Sequence, residues 1–251
     1  MQLHYPANTI RINRAELYTQ QRQGVSIITC TNRPECRDNI LANFFRQDFS
    51  PQELLIILNL NSMDLREWRM WTAGYPGVRV FQVDESQTQG ACLNYALNYI
   101  NMDYVAKFDD DDYYTPGYLR EQMETFALSA AHVVGKSSWF IYFEESQTLA
   151  IFNPNHENSY EEYLTGGSLV IKREVFQEVK FRDFSVGEDL WFLKDCAEKG
   201  IIIYSSSRFN FVGIRRRDSG SHTWQESEEQ IMPRCEFVAH AADYRPLIIS
   251  P

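Results

Sequence analysis

The sequence predicts a single α/β domain with a mixed, mostly parallel central sheet flanked by helices. Two observations carry that reading. Short apolar runs recur at 25–30, 53–59, 78–83 and 103–108, and helix-like segments lie between the first pair and between the last pair. Strands that alternate with helices at this rhythm form parallel sheets covered on their faces. A third observation concerns the second half, where strand-like runs become shorter and closer together but no linker composition separates them from the first half. One domain with a mixed sheet follows.

Taken in order, residues 1–23 are polar and without period, and are expected to be an extension or docking arm. V-S-I-I-T-C (25–30), bounded by Gly24 and T-N-R-P, is a β-branched buried strand. Ile40, Leu41, Phe44 and Phe45 stand at helical spacing in the next segment. E-L-L-I-I-L-N (53–59) and V-R-V-F-Q-V (78–83) are strands, and A-C-L-N-Y-A-L-N-Y-I (91–100) is a helix. D-Y-V-A-K-F (103–108) is a fourth strand, ending where four aspartates begin. A helix is expected over 119–128, after Pro116, and a pair of strands over 132–143 and 148–152. A glycine-led strand over 165–172, an amphipathic helix over 186–197 with an acidic start, and strands at 201–204 and 209–214 complete the set. The expected domain is 24–224, with 225–251 a tail or the start of a further segment.

Composition bounds the function. The chain has 251 residues, 44% hydrophobic and 23% charged, ample for a core and against disorder. A net charge of -10 argues against a nucleic-acid partner, because the phosphate backbone attracts basic surfaces. Cys30, Cys36, Cys92, Cys196 and Cys235 are widely spaced and odd in number, so neither a zinc site nor a disulfide scaffold is expected. No stretch approaches ~18 continuous apolar residues, no transmembrane segment is expected, and M-Q-L-H-Y-P-A-N-T-I-R has no signal-peptide core. A cytoplasmic chain is the expectation.

Asp109, Asp110, Asp111 and Asp112 are the main chemical signal. A charge run can be a solvated turn, since aspartate favours turns and helix N-caps. Here the run abuts a buried strand at the edge where ligands bind parallel sheets. If the strand continues, Asp109 and Asp111 face one spot, with Asp112 nearby. Clustered carboxylates suit Mg²⁺ or Mn²⁺, which in turn receives phosphate oxygens. An EF-hand is excluded because Tyr113 and Tyr114 follow the run. A phosphatase-type D-x-D fails too, because Tyr113 stands where a threonine belongs and the motif lies mid-chain.

Six stretches, in order, resemble family 2 glycosyltransferases of the GT-A fold. They are V-S-I-I-T-C-T-N-R-P, N-I-L-A-N-F-F-R-Q-D-F-S-P-Q-E-L-L-I-I-L-N with Gln47, Glu53 and Leu54, G-A-C-L-N-Y-A-L-N-Y-I, F-D-D-D-D-Y-Y-T-P-G-Y-L, T-G-G-S-L-V-I-K-R-E-V-F and G-E-D-L-W-F. Each is weak alone; six in family order are specific. The resemblance implies a Rossmann-like nucleotide-binding half and an acceptor-binding half. It also implies inverting sugar transfer from a nucleotide-diphosphate donor to a glycan or other hydroxyl-bearing acceptor.

By position, the resemblance implies Asp189 as general base with Glu188 beside it. Asp111 would be the main metal ligand, assisted by Asp112. Asp109 would lie on the nucleoside side with Asp110, Thr29, Thr31, Arg33 and Asn59, and Gly166 and Gly167 at the acceptor approach. Helix N-terminal charge is the alternative for Asp189, and a tight turn for the two glycines. Arg215 and Arg217 belong to an arginine run that reaches a diphosphate or pairs with surface carboxylates. His222 completes a metal shell or is structural; Trp224 stacks on sugar or packs in the core. Where the family usually has an Asp-Asp pair, this chain has Asn59 and Leu60. Leu60 cannot hydrogen-bond uracil, and Asn59, Asn61 or Asp64 are the substitutes, so uridine selectivity is the point of departure. Two other readings remain: a metal-dependent nucleotidyltransferase, although T-C-T-N-R-P-E lacks a glycine-rich loop, and a non-catalytic glycan-binding relative.

Overall fold

The computed structural model describes residues 24–216 and 224–250. The first half alternates as read: β1 (Val25–Thr31), α1 (Arg37–Phe45), β2 (Gln52–Leu58), α2 (Leu65–Thr72), β3 (Val78–Gln82), α3 (Gln89–Ala96) and β4 (Tyr104–Lys107). Helix α2 has no counterpart in the sequence reading. Its N-cap is Asp64, whose carboxylate accepts from Arg66 N at 2.8 Å. The second half holds β5 (Tyr113–Tyr114), α4 (Tyr118–Leu128), β6 (Val133–Gly135), β7 (Trp139–Phe143), β8 (Thr148–Phe152), β9 (Ser159–Tyr160), β10 (Val170–Lys172), α5 (Glu188–Glu198), β11 (Ile203–Ser205), β12 (Phe211–Arg215), α6 (Glu228–Ile231) and β13 (Cys235–His240).

The larger sheet has the order β3-β2-β1-β4-β10-β6-β11-β9. Strands β3, β2, β1 and β4 are parallel, while β10 runs antiparallel between β4 and β6. Strand order reverses beside β1: β2 lies on one side and β4 on the other, which opens a crevice beyond their carboxyl ends. The smaller sheet runs β13-β8-β7-β12-β5. Three readings change here. The expected strand 132–143 is two strands in different sheets, joined through buried Lys136–Ser138. The glycine-led strand reaches only Val170–Lys172, because Gly166–Ser168 forms a 3-10 turn. Residues beyond 224 continue into β13, which pairs with β8.

Successive residues of each central strand enter opposite cores. Ile27, Leu54, Ile56 and Ala106 pack with Ile40, Phe44, Tyr118 and Leu119. Ile28, Leu55, Ile57 and Val105 pack with Cys92, Leu93, Phe192 and Leu193. Burial on both faces explains the continuous apolar runs. Two motif residues turn out to brace the frame. Gln47 accepts from Leu119 N and donates to Asn43 O and Thr115 O, and Glu53 accepts from Ser26 Oγ at 2.6 Å. All five cysteines are free and four are buried. No helix among the described residues is long and apolar enough to cross a membrane.

Candidate active site

Strand β4 stops at Lys107, and the four aspartates form a bent loop rather than a strand extension. Two asparagines of α1 hold the bend. Asn39 Nδ2 donates to the Asp110 and Asp112 carbonyls at 2.8 and 3.0 Å, and Asn43 Nδ2 to the Asp112 carbonyl at 2.9 Å. Tyr114 closes it, accepting from Asp109 N at 2.9 Å and donating to Gly167 O at 2.6 Å. The expected pairing of Asp109 with Asp111 is therefore replaced. A Cβ on Gly167 would lie 2.8 Å from Asp109 Oδ2 and 2.9 Å from Asp112 Oδ2, so those two carboxylates converge there. Asp110 and Asp111 turn instead toward Arg33.

Thr31, at the end of β1, donates to Asp110 Oδ2 at 2.5 Å, and Arg33 grips both oxygens of Asp110. Arg33 Nη1 also reaches Asp111 at 2.8 Å, and Arg216 Nη2 reaches the same oxygen at 2.7 Å. Burial raises Asp110 to about 6 despite Arg33. Burial, with Asp111 and Asp109 beside it, also raises Asp112 well above the usual carboxylate range; its Oδ1 accepts from Ile214 N at 3.1 Å. Such a crowd of buried carboxylates calls for positive charge, and the arginines supply part of it.

Asp189 and Glu188 open α5, whose N-cap Gly187 has φ 77, a left-handed conformation that glycine adopts without strain. A side chain on Gly166 would overlap Asp189 Oδ2. Glycine there is thus the condition for Asp189 to lie against the 166–168 turn. Glu188 is buried, and desolvation pushes it up to about 7, against the pull of Lys107. Tyr163, near Asp189, is raised to about 12 by burial first and by that carboxylate second.

Helix α3 positions the approach to α5. Gly90 lies so close to the Arg182 carbonyl that a Cβ would overlap it, and Gly90 N donates to Phe184 O at 3.0 Å. Asn94 exchanges hydrogen bonds with the Phe181 backbone at 2.7 and 3.2 Å. The glycine and asparagine of this helix thus clamp the segment leading to Asp189.

These groups line one open cavity of about 810 Å³. Thr31, Arg33, Asn59, Asp109–Asp112, Glu188, Asp189, Arg215 and Trp224 all face it. Thr29 does not; it is buried in β1. Gly166 and Gly167 lie behind the wall, against Asp189 and the Asp109–Asp112 pair. Asn59 Nδ2 donates to Asp84 O at 2.9 Å, while Leu60 packs on the core. Asn61 pairs with Asp84 and Glu85, and Asp64 caps α2. Arg215 donates to Glu226 O at 2.7 Å and stacks on Trp224, whose ring also packs edge-on against Phe152. Arg217 and His222 lie outside the described residues. Among the described residues no three His, Cys, Asp or Glu side chains are gathered as a ready metal cage. Sequence reading missed Lys107, Asn39 and Asn43, and took in Arg216 only as the middle of the 215–217 arginine run.

The comparisons with known proteins agree with this architecture. The family described as Glycosyl transferase family 2 matches residues 26–179. No curated protein matches the chain. Among solved structures, S. aureus TarS 1-349 has a TM-score of 0.57 at 16% identity, covering 76% of this chain and 60% of that one. The same protein in complex with UDP-GlcNAc gives 0.56. The mannosyltransferase PcManGT from Pyrobaculum calidifontis, in complex with GDP-Man and Mn²⁺, gives 0.57 at 17% identity, covering 77% of this chain and 57% of that one. This chain therefore spans about 60% of the length of such neighbours.

Proposed function

Because this chain belongs to glycosyl transferase family 2 and has the GT-A fold, we propose that it moves a sugar from a nucleoside diphosphate donor to a hydroxyl acceptor, inverting the anomeric centre. One observation carries this reading. A cavity-lining carboxylate on a helix start, Asp189, lies against Gly166, while Asp109 and Asp112 converge on the adjacent Gly167. Asp189 and the aspartate loop thus border one cavity, which supports a base and a donor site side by side.

In-line displacement requires a base opposite the leaving group. Asp189 accepts the acceptor's hydroxyl proton as that oxygen bonds to the anomeric carbon and the bond to the diphosphate breaks. Thr31, Arg33 and Asn59 form the nucleoside side of the cavity. Arg33, Arg215 and Arg216 offset the charge of the departing diphosphate. Asp112, whose Oδ2 converges with that of Asp109, and Asp111, whose Oδ2 is shared by Arg33 and Arg216, are the residues that would hold a hard divalent cation. Both are carboxylates, and such a cation commonly takes one or two carboxylates and completes its shell with phosphate oxygens and water. When bound, Mn²⁺ or Mg²⁺ supplies further charge stabilisation for the leaving group. Of the three substitutes for the uracil-reading aspartate, Asn59 lines the cavity, its Nδ2 held by Asp84 O, whereas Asn61 and Asp64 do not line it.

The test is nucleoside diphosphate release from a panel of nucleotide sugars with Mn²⁺, Mg²⁺ or chelator. Release from one donor, suppressed by chelator, is expected. A panel that gives neither release nor donor binding by calorimetry would overturn the assignment in favour of a non-catalytic relative.

A further inference from the structure

The one cation of the K-F-D-D-D-D stretch has no part in the proposed chemistry. Lys107 ends β4 with a side chain only 6% exposed. Its Nζ lies 2.7 Å from Asp109 Oδ1 and 3.8 Å from Glu188 Oε1. Burying an ammonium costs several kcal/mol unless it is paired. Among the described residues, neither Asp109 nor Glu188 has another ion pair, because Arg33 and Arg216 take Asp110 and Asp111. One ammonium therefore joins the aspartate loop to the first residue of α5.

That helix start is packed against Gly166 through Asp189 and held further along by Arg182, which pairs with Asp195 and stacks on Trp191; Lys107 is the contact that reaches it from the aspartate loop. Gly187 offers no capping side chain, and the segment before it exposes Phe184 and Val186. The clamp from α3 ends upstream, at Phe184.

We propose that Lys107 is a positioning residue: its ammonium ties Asp109 to Glu188 and so sets the distance between the donor-holding loop and Asp189. The inference rests on the transferase reading for its catalytic consequence, but not for its structural one. A rival role is a direct contact between Lys107, which lines the cavity, and the donor diphosphate. The two roles separate experimentally, because a strut acts on turnover and a donor contact acts on affinity.

The experiment compares wild type with Lys107→Met, Lys107→Arg and the double variant Lys107→Met/Glu188→Gln. Hydrogen exchange is followed at Trp191, Phe192 and Leu193, with kcat and the calorimetric Kd for nucleoside diphosphate. In Lys107→Met, exchange at these amides is expected to quicken at least tenfold while β1 and β2 stay protected. Its kcat is expected to fall at least thirtyfold with Kd within threefold, and Lys107→Arg to recover protection. If Lys107→Met does not fold, the double variant, with one buried carboxylate fewer, is read the same way. Undisturbed exchange in a folded neutral variant overturns the strut, and a loss of affinity that matches the loss of kcat makes Lys107 a donor ligand instead. A wild-type protein that turns over no donor sinks the transferase reading; the exchange result then decides the strut alone.

Discussion

Two adjacent carboxylates, Glu188 and Asp189, share a helix turn and have opposite surroundings. Asp189 lies against the Gly166 backbone and lines the cavity. Asp189→Asn keeps the shape and removes the proton acceptor. Transfer is expected to fall by at least a thousandfold while donor affinity stays within threefold, read by product formation and calorimetry. Full transfer by this variant would refute the base assignment. Glu188 is buried, and desolvation lifts it from 4.5 to about 7. Between those values the folded state holds a proton that the unfolded chain has released. The stability from this group is therefore complete below about pH 4.5 and is lost as pH rises through about 7. Glu188→Gln mimics the protonated form at every pH. The variant is expected to match wild type near pH 5 and to exceed it by about 1–3 kcal/mol at pH 8, as urea midpoints at the two pH values will tell. A difference independent of pH would show that Glu188 ionises normally. At this scale the acidic residues were legible in sequence because their types and positions are themselves the signal. Their partners were not: Asn39 lies 71 residues from Asp110, and Arg216 lies 105 from Asp111, and only the fold brings them together.

Elements explain why some residue types are required. Helix α3 reads in sequence as an ordinary helix, yet its Gly90 and Asn94 form the surface on which the 181–184 segment rests. Gly90→Ala drives a methyl group into the Arg182 carbonyl. Backbone on both sides leaves no side chain to yield, so a loss of about 1–3 kcal/mol is expected. The displaced segment should also carry α5 and Asp189 with it, lowering kcat at least tenfold without a matching change in donor Kd. Thermal unfolding and steady-state kinetics on the same preparation check both parts, and unchanged kcat would uncouple α3 from the base. The parallel strands β1 to β4 were readable because burial on both faces leaves continuous apolar runs. The aspartate loop misled because period-2 reasoning holds only while the strand lasts. Asn39 and Asn43 bend the chain just past Phe108, so Asp109 meets Asp112 rather than Asp111. Likewise 132–143 was read as one strand across a polar break at Lys136–Ser138, and those residues, though polar, are buried at the crossover between sheets rather than looped into solvent.

At the scale of the molecule, an acidic chain of net charge -10 concentrates cations where its carboxylates are densest: Arg33 and Lys107 line the cavity, and Arg216 pairs with Asp111. The cavity is built jointly by the two sheets: β1 and β4 end on one side, and β12 with Trp139 and Phe152 forms the other. The smaller sheet is therefore part of the site, and it is completed by residues that the sequence reading placed beyond the domain. Strand β13 pairs along β8, Ile231 and Ile248 are fully buried, and Ile248 O accepts from Asn210 N at 2.7 Å. Arg215 is held by Glu226 O and Arg234 stacks on Trp224. Residues beyond 224 left no clear signal in the sequence because β13 is an edge strand with no buried residue, so it shows no continuous apolar run. A chain ended after Trp224 loses two buried isoleucines, about 3–6 kcal/mol from those side chains alone, and leaves the β8 edge unpaired. That loss is comparable to the whole stability of a typical domain, about 5–15 kcal/mol. The truncated chain is expected to be largely unfolded or aggregated, with no cooperative melting transition and no donor binding. A truncation that melts cooperatively within a few degrees of the parent would instead make 225–251 an appendage to a domain complete at 224.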